Sequence, residues 1–325
     1  MALLIRCVAF FVTVSSTSAF VSNALNFTVL GDFGGISFFP YQSPFEHAVA
    51  TQMGIFVRDH GSQFILALGD NFYWKGVKDV DDPRFEQTFE SVFKNPSLQI
   101  PWYVLAGNHD HYGNVSAQIA YTKKSKRWNF PELYYSLSMP IPGSTSFVDI
   151  IMIDTVTLCG NTKSDASSEP PSEPDDVQLA EDQWAWLESK LQSSKGLYLV
   201  VAGHFPVWSI SEHGPTKCLV DRLMPMLHKY NATAYLNGHD HNLQHLEYSM
   251  LNTTVDYYVI GAADVVDPST KHINDVPTGS LKYHGANILT LGGFAFVQAD
   301  MKSMNLTFVD AEGALLYSHA MLPRV

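Results

Sequence analysis

Positive charge is what this chain has least of. Its 325 residues include 20 lysines and arginines against 32 acidic residues, for a formal charge of −12. That excludes nucleic acid as a standing partner, because no basic surplus exists to neutralise backbone phosphates. An acidic protein that binds an anion needs a local positive centre, and a bound metal is one. Long apolar runs are missing beyond the N-terminus, so no membrane span is expected in the body of the chain. No internal repeat is visible. Cysteine is scarce, with only Cys7, Cys159 and Cys218.

What is present first is an address. Residues 1–22 read as a secretory signal: Arg6 comes early, an apolar run follows, and the small residues "SSTSA" precede Phe20. Cys7 would leave with that segment. The remaining pair, Cys159 and Cys218, is expected to form a disulfide in an oxidising compartment. Sequons at Asn26, Asn114, Asn231, Asn252 and Asn305 permit N-glycosylation. The expected location is the secretory pathway, ending in lysosomes or outside the cell.

The remainder has a length suited to one large domain or two small ones. Short β-branched and aromatic runs alternate with segments of helical period. "NFTVLGDF", "QFILALGD", "PWYVLAGNHD", "FVDIIMIDT", "LYLVVAGH" and "ATAYLNGHD" read as strands. "EHAVATQMGIFVRDHG", "DPRFEQTFESVFKN", "QLAEDQWAWLESKLQSSKG" and "LVDRLMPMLHKYN" read as helices. The last third is mostly strand, so an α/β body is expected with a more antiparallel C-terminal sheet packed against it. Residues 160–176, "GNTKSDASSEPPSEPDD", are rich in Ser, Pro and acid, and read as an exposed loop open to proteolysis.

The informative regularity lies at the strand ends. Five apolar runs each close on a small residue followed by polar side chains that can hold a metal: GDFGG (Asp32), GDNFY (Asp70, Tyr73), GNHD (Asn108, His109, Asp110), VAGH (His204) and GHDH (His239, His241). Each alone reads equally well as a turn, with Asp capping the next helix. Five in succession read as one rim, because ligands of an open α/β sheet gather outside the carboxyl ends of its strands.

In this order the motifs resemble those of the purple acid phosphatases, within the calcineurin-like metallophosphoesterases. The resemblance runs from about residue 26 to the C-terminus and includes "VAGHFPVWSISEHGPTKC" and "GHDHNLQ". It implies a single domain over 23–325, built as two packed mixed β-sheets flanked by helices, a four-layer αββα sandwich. It implies a binuclear centre in which Asp32, Tyr73 and His241 hold Fe(III). Asn108, His204 and His239 would hold a divalent metal (Fe2+, Zn2+ or Mn2+), with Asp70 bridging. Phenolate and carboxylate are hard anionic donors suited to a trivalent ion, whereas imidazole and amide oxygen suit a divalent one. Tyr73 discriminates within the wider family, because related protein phosphatases and nucleases carry a histidine where this chain has Gly34.

The activity implied is that of an acid phosphatase, hydrolysing phosphate monoesters by in-line attack of a metal-bound hydroxide. Phosphoproteins and small aryl or nucleotide phosphates are the expected substrates. His109, His213 and Glu212 are the candidate proton donors to the leaving group. Asp110 is expected to hold an imidazole in its tautomer, and Asp240 to play a similar part. The resemblance also makes loop 160–176 a repressor of activity until a protease clips it, with Glu169, Glu173, Asp175 and Asp176 as candidate screening groups. Two other readings use the same residues. One is a phosphodiesterase or nuclease, against which stand the missing first-motif histidine and the acidic charge. The other is an iron-carrying or redox-active secreted glycoprotein, which would not require His109 or the Glu212–His213 pair.

Overall fold

The computed structural model describes residues 23–163, 171 and 173–324. The signal expected at 1–22 and the middle of the acidic loop, including Glu169, lie outside the described residues. The chain first lays down β1 (Leu25–Leu30), β2 (Phe64–Ala67), β3 (Trp102–Val104) and β4 (Trp128–Asn129) as neighbouring parallel strands. It then crosses to a second sheet and adds β5 (Tyr135–Pro140), β6 (Phe147–Met152), β7 (Tyr198–Ala202), β8 (Ala234–Asn237), β9 (Leu243–Met250), β10 (Thr253–Ile260) and β11 (Leu281–Gly285). It returns to the first sheet with β12 (Gly293–Ala299), β13 (Met304–Asp310) and β14 (Leu315–Met321). The two orders are β14-β13-β12-β1-β2-β3-β4 and β11-β9-β10-β8-β7-β6-β5.

Both sheets are therefore mixed, and the expected separate C-terminal sheet is not formed. β12 pairs antiparallel with β1, while β9 and β10 extend the second sheet beside β8. The last third divides itself between two existing edges. Alternation along β7 shows how the layers stack. Tyr198, Val200 and Ala202 face the core between the sheets, whereas Leu199 and Val201 pack outward on Ala180, Trp184, Leu187 and Leu191. On the first sheet, Val49, Met53 and Phe56 do the same work from the helix described next.

That helix, α1 (Pro44–His60), starts at a capping box. Ser43 Oγ accepts from Glu46 N at 3.0 Å, the Glu46 carboxylate accepts from Ser43 N at 3.3 Å, and Pro44 begins the first turn. α2 (Asn108–His111), α3 (Val115–Tyr121) and α4 (Thr155–Cys159) are short. α5 (Val177–Ser193) is the amphipathic helix expected, capped by Asp176, which accepts from Gln178 N and Leu179 N. Two expected helices are less regular. Residues 82–95 wind as a π-helical turn at Phe85–Glu90, and Phe85, Thr88 and Phe89 are buried there on one side. Residues 219–231 make a similar turn at Leu219–Leu223 before α6 (Met224–Lys229), where Pro225 fits as a first-turn residue but could not continue a regular ladder. The disulfide Cys159–Cys218 ties α4 to that turn across 59 residues of chain. No helix among the described residues is long and apolar enough to cross a membrane.

Candidate metal centre

All five strand tips meet at the carboxyl ends of parallel strands. Asp32 follows β1, Asp70 follows β2 and Asn108 follows β3 in the first sheet, while His204 follows β7 and His239 follows β8 in the second. The cluster thus sits where the two sheets meet. Close approach is bought with glycine: a Cβ on Gly107 would run into the Asp70 carboxylate, and one on Gly238 into that of Asp32. Three of the tip residues take the left-handed backbone conformation that side chains ordinarily avoid, Asp32 at φ 60°, Asp70 at φ 51° and His239 at φ 71°. Strain of this kind persists where packing over-determines it, and functional sites are where it collects.

The side chains form two groups. In one, Tyr73 Oη lies 3.2 Å from Asp32 Oδ1 and 2.9 Å from His241 Nε2, and His241 Nε2 lies 3.6 Å from Asp32 Oδ1. In the other, His204 Nε2 lies 2.9 Å from Asn108 Oδ1 and 3.4 Å from Asp70 Oδ2, and Asp70, His204 and His239 bring one donor atom each within 4.8 Å of one another. His239 and His241, two residues apart, go to different groups. All seven residues expected to hold metal are brought together.

Whether metals fit is decided by the donors. His204 Nδ1–H donates to Leu68 O at 2.8 Å, which leaves Nε2 as a bare acceptor. Nε2 nevertheless faces two further acceptors, Asn108 Oδ1 and Asp70 Oδ2. Three lone pairs converge, and a cation among them resolves the conflict. Without one, burial lowers the His204 pKa but Asp70 more than offsets this and lifts it to about 9. Burial works against ionisation of Asp70 too, yet His204 and His109 hold its carboxyl well below the usual range. Burial and the Asp32 and Asp70 carboxylates push the Tyr73 phenol well up, the direction a bound cation would reverse. Burial and the surrounding imidazoles of His213, His204 and His241 keep His239 neutral, the form in which imidazole binds metal.

The candidate proton donors separate. His109 Nδ1 donates to Trp74 O at 2.8 Å, and its Nε2 faces Asp70 Oδ2 at 3.8 Å. The His213 ring stacks on that of His239, centroids 4.1 Å apart, and its Nδ1 is buried with no hydrogen-bond partner. Burial lowers its pKa. Glu212, next to it in sequence, instead accepts from Lys271 Nζ at 3.0 Å and Ser269 Oγ at 3.1 Å near the surface.

Two supporting aspartates differ from expectation. Asp110 holds no imidazole. Its carboxylate accepts from Gly107 N (2.8 Å), Asn71 N (3.1 Å), Asn71 Nδ2 (3.1 Å) and Gln118 Nε2 (2.8 Å), so it pins the β2 and β3 tips together. Asp240 accepts from His213 N at 3.0 Å and from Ser209 Oγ, fixing the 209–213 loop. The imidazole–carboxylate pair lies one residue further on, between His111 Nε2 and Asp154 Oδ2 at 2.7 Å. Sequence reasoning missed it because nothing in the chain order joins residues 111 and 154. Trp74, beside Tyr73, was also missed; it lines a groove of about 1010 Å³ with Tyr73, Lys75 and Tyr112.

Two facing sheets with five ligand-bearing strand tips define a calcineurin-like metallophosphoesterase, and the sequence pattern of the calcineurin-like phosphoesterase family matches residues 25–243. The chain belongs to the purple acid phosphatases of that family. It is 52% identical over 294 residues to tartrate-resistant acid phosphatase type 5 of Oryctolagus cuniculus, covering 90% of this chain and 89% of the relative. It is 34% identical over 232 residues to purple acid phosphatase 7 of Arabidopsis thaliana, covering 69% and 66%. Among solved structures, GAP50, the anchor in the inner membrane complex of Plasmodium, shares the fold at a TM-score of 0.76 and 20% identity, covering 93% of this chain and 90% of that one.

Proposed function

We propose that this chain hydrolyses phosphate monoesters at a binuclear Fe(III)–divalent centre. Asp32, Tyr73 and His241 hold the iron, Asn108, His204 and His239 hold the divalent ion, and Asp70 serves both. The observation that carries this reading is the convergence of His204 Nε2, Asn108 Oδ1 and Asp70 Oδ2 at one buried point, a place that calls for a positive charge, whether a proton or a metal ion. The hard anionic donors gather on the Tyr73 side, which favours the trivalent ion there. When bound, the metals supply Lewis-acid polarisation of the phosphoryl group and a nucleophile from water at acidic pH.

The chain's own residues supply the rest. Asp32 and Asp70 are fixed by backbone amides, His239 N donating to Asp32 and His109 N to Asp70 at 3.0 Å, so their oxygens do not reorganise during turnover. His109 and His213 stand on two sides of the cluster and hold a proton for the departing alkoxide. Trp74 and Tyr112 offer apolar faces to the leaving group in the adjoining groove, which suits aryl and nucleotide phosphates and phosphoprotein side chains. Loop 160–176 reaches the same site at its start, since Asn161 Nδ2 donates to Asn108 O at 3.3 Å and Tyr112 contacts Thr162 Oγ1 at 2.6 Å. Cleavage there by a protease would loosen these contacts and relieve repression. Secretory or lysosomal delivery completes the reading. Asn252 is exposed for glycosylation, whereas Asn26 is 4% exposed with its amide committed to His60 O.

The experiment is hydrolysis of p-nitrophenyl phosphate by the purified protein near an acidic pH, about 5. Wild type is expected to turn over and Asp70→Asn to be inactive. A coloured, iron-loaded wild type without turnover would replace this reading with iron carriage.

A further inference from the structure

A second cluster of metal-binding side chains lies outside the strand-tip motifs. His245 on β9 is fully buried, and its Nε2 lies 2.7 Å from Asp256 Oδ1 on β10. The same oxygen lies 3.4 Å from Nε2 of His319 on β14. β9 and β10 belong to the second sheet, and β14 is the outer strand of the first. Three strands from two sheets therefore bring one donor atom each to one place, all within 4.8 Å of one another.

The surroundings meet the further conditions a metal site needs. The second nitrogen of His245, Nδ1, lies 2.8 Å from Tyr317 Oη, and the ring stacks on Tyr258 with centroids 4.4 Å apart. Ring orientation is thus fixed, and an Nδ1–H donated to the hydroxyl leaves Nε2 free for a cation. Burial opposes ionisation of Asp256, but hydrogen bonds from His245 and His319 hold its carboxyl below the usual range, so it is anionic. A groove of about 520 Å³ opens on the cluster and is lined by Asp256, His319 and Glu247, giving access from solvent. Glu247, the register partner of Asp256 across β9 and β10, lines the groove with its carboxylate on Lys282 Nζ at 3.3 Å, so a water from the groove would supply the fourth position.

We propose that His245, Asp256 and His319 form a third, mononuclear metal site of the Zn2+ class that clamps edge strand β14 to the second sheet. Two imidazoles and one carboxylate are a donor set matched to a borderline divalent ion. Donors in a tetrahedral zinc shell stand about 3.4 Å apart, the His319–Asp256 distance already present. The shorter His245–Asp256 contact has only to open by about 0.7 Å as its proton leaves. On binding, His245 changes tautomer: it loses the Nε2 proton that Asp256 otherwise accepts and takes one up at Nδ1. That ring releases no net proton, while the Tyr317 hydroxyl turns from donor to acceptor. A proton carried by a cationic His319 goes to solvent.

The test counts metal in the holoenzyme with its catalytic pair already loaded. Equilibrated with Zn2+, wild type is expected to take up one further equivalent and to gain thermal stability as Zn2+ rises. His319→Asn should bind that equivalent about tenfold more weakly or worse, and lose the Zn2+-dependent gain in stability. Its phosphatase kcat and KM should be unchanged, which also shows that the variant is folded. Tyr317→Phe, which removes only the hydroxyl orienting His245, should weaken uptake without abolishing it. No further equivalent in wild type, or wild-type affinity retained in both variants, would overturn the proposal.

Discussion

Replacing Asp110 by alanine tests whether the two halves of the first-sheet rim are held together as described. The carboxylate is fully buried and accepts from Gly107 N, Asn71 N and Gln118 Nε2, as well as from Asn71 Nδ2. Asn71 Nδ2 keeps Leu105 O as a partner at 2.9 Å, so its loss is small. The other three donors are left buried without that acceptor. Each such orphan costs about 1–3 kcal/mol. Water entering the vacated space recovers part of this, leaving a destabilisation of about 3–5 kcal/mol. Out of a typical total of about 5–15 kcal/mol, that is a large share. Urea unfolding followed by tryptophan fluorescence measures it. Asp110→Asn keeps the volume but offers one acceptor oxygen in place of two, so it should fall between wild type and alanine. Activity should fall with stability, because Asp70, Asn108 and His109 all sit on the segments that Asp110 joins. A loss below about 1 kcal/mol in the alanine variant, with normal turnover, would refute this account of Asp110.

Two further outcomes follow from the site. His213→Gln should slow hydrolysis of alkyl phosphates far more than of p-nitrophenyl phosphate, whose leaving group needs no proton; equal losses on both would remove His213 as the donor. The His111–Asp154 pair should stabilise the fold most on the acid side of neutrality. Burial lowers the His111 pKa but Asp154 raises it above the free value, so its contribution is complete below an unfolded pKa of about 6.5 and is lost as pH rises through the folded one. Burial opposes ionisation of Asp154, but His111 depresses its pKa, so its contribution fades only in strong acid. Unfolding of His111→Gln at acidic and at alkaline pH should therefore show the larger deficit in acid, and an equal deficit at both would count against the ion pair.

The parallel strands and their tips were legible because each apolar run stops at a glycine and a polar residue follows at once, as at Gly31–Asp32 and Gly238–His239. Chemistry and topology coincide there. Partners joined only in space were not legible. Asp110 follows His109 and looks like an imidazole's anchor, yet the fold turns it onto backbone amides of two different loops. Glu212 reads from its place beside His213 as a candidate proton donor, and its pairing with Lys271, far along the chain, could not be read there. β14 was legible as the strand "LLYSHAM", but β9, and the meeting of histidines from both strands, were obscured for another reason. β9 is interrupted by polar residues, and both strands carry histidines where a sequence pattern expects apolar ones; those histidines, far apart in the chain, are the ones that meet at Asp256.

The central claim is that Tyr73 binds Fe(III) beside a divalent partner. Its phenol stands 3.2 Å from Asp32 and 2.9 Å from His241, with no role in packing that needs the hydroxyl. The visible absorption spectrum of the purified protein tests this most directly, because tyrosinate on Fe(III) gives a charge-transfer band. Wild type should be coloured and Tyr73→Phe should lose the band. A colourless wild type that hydrolyses phosphate monoesters, or a Tyr73→Phe variant that keeps the colour, would contradict it.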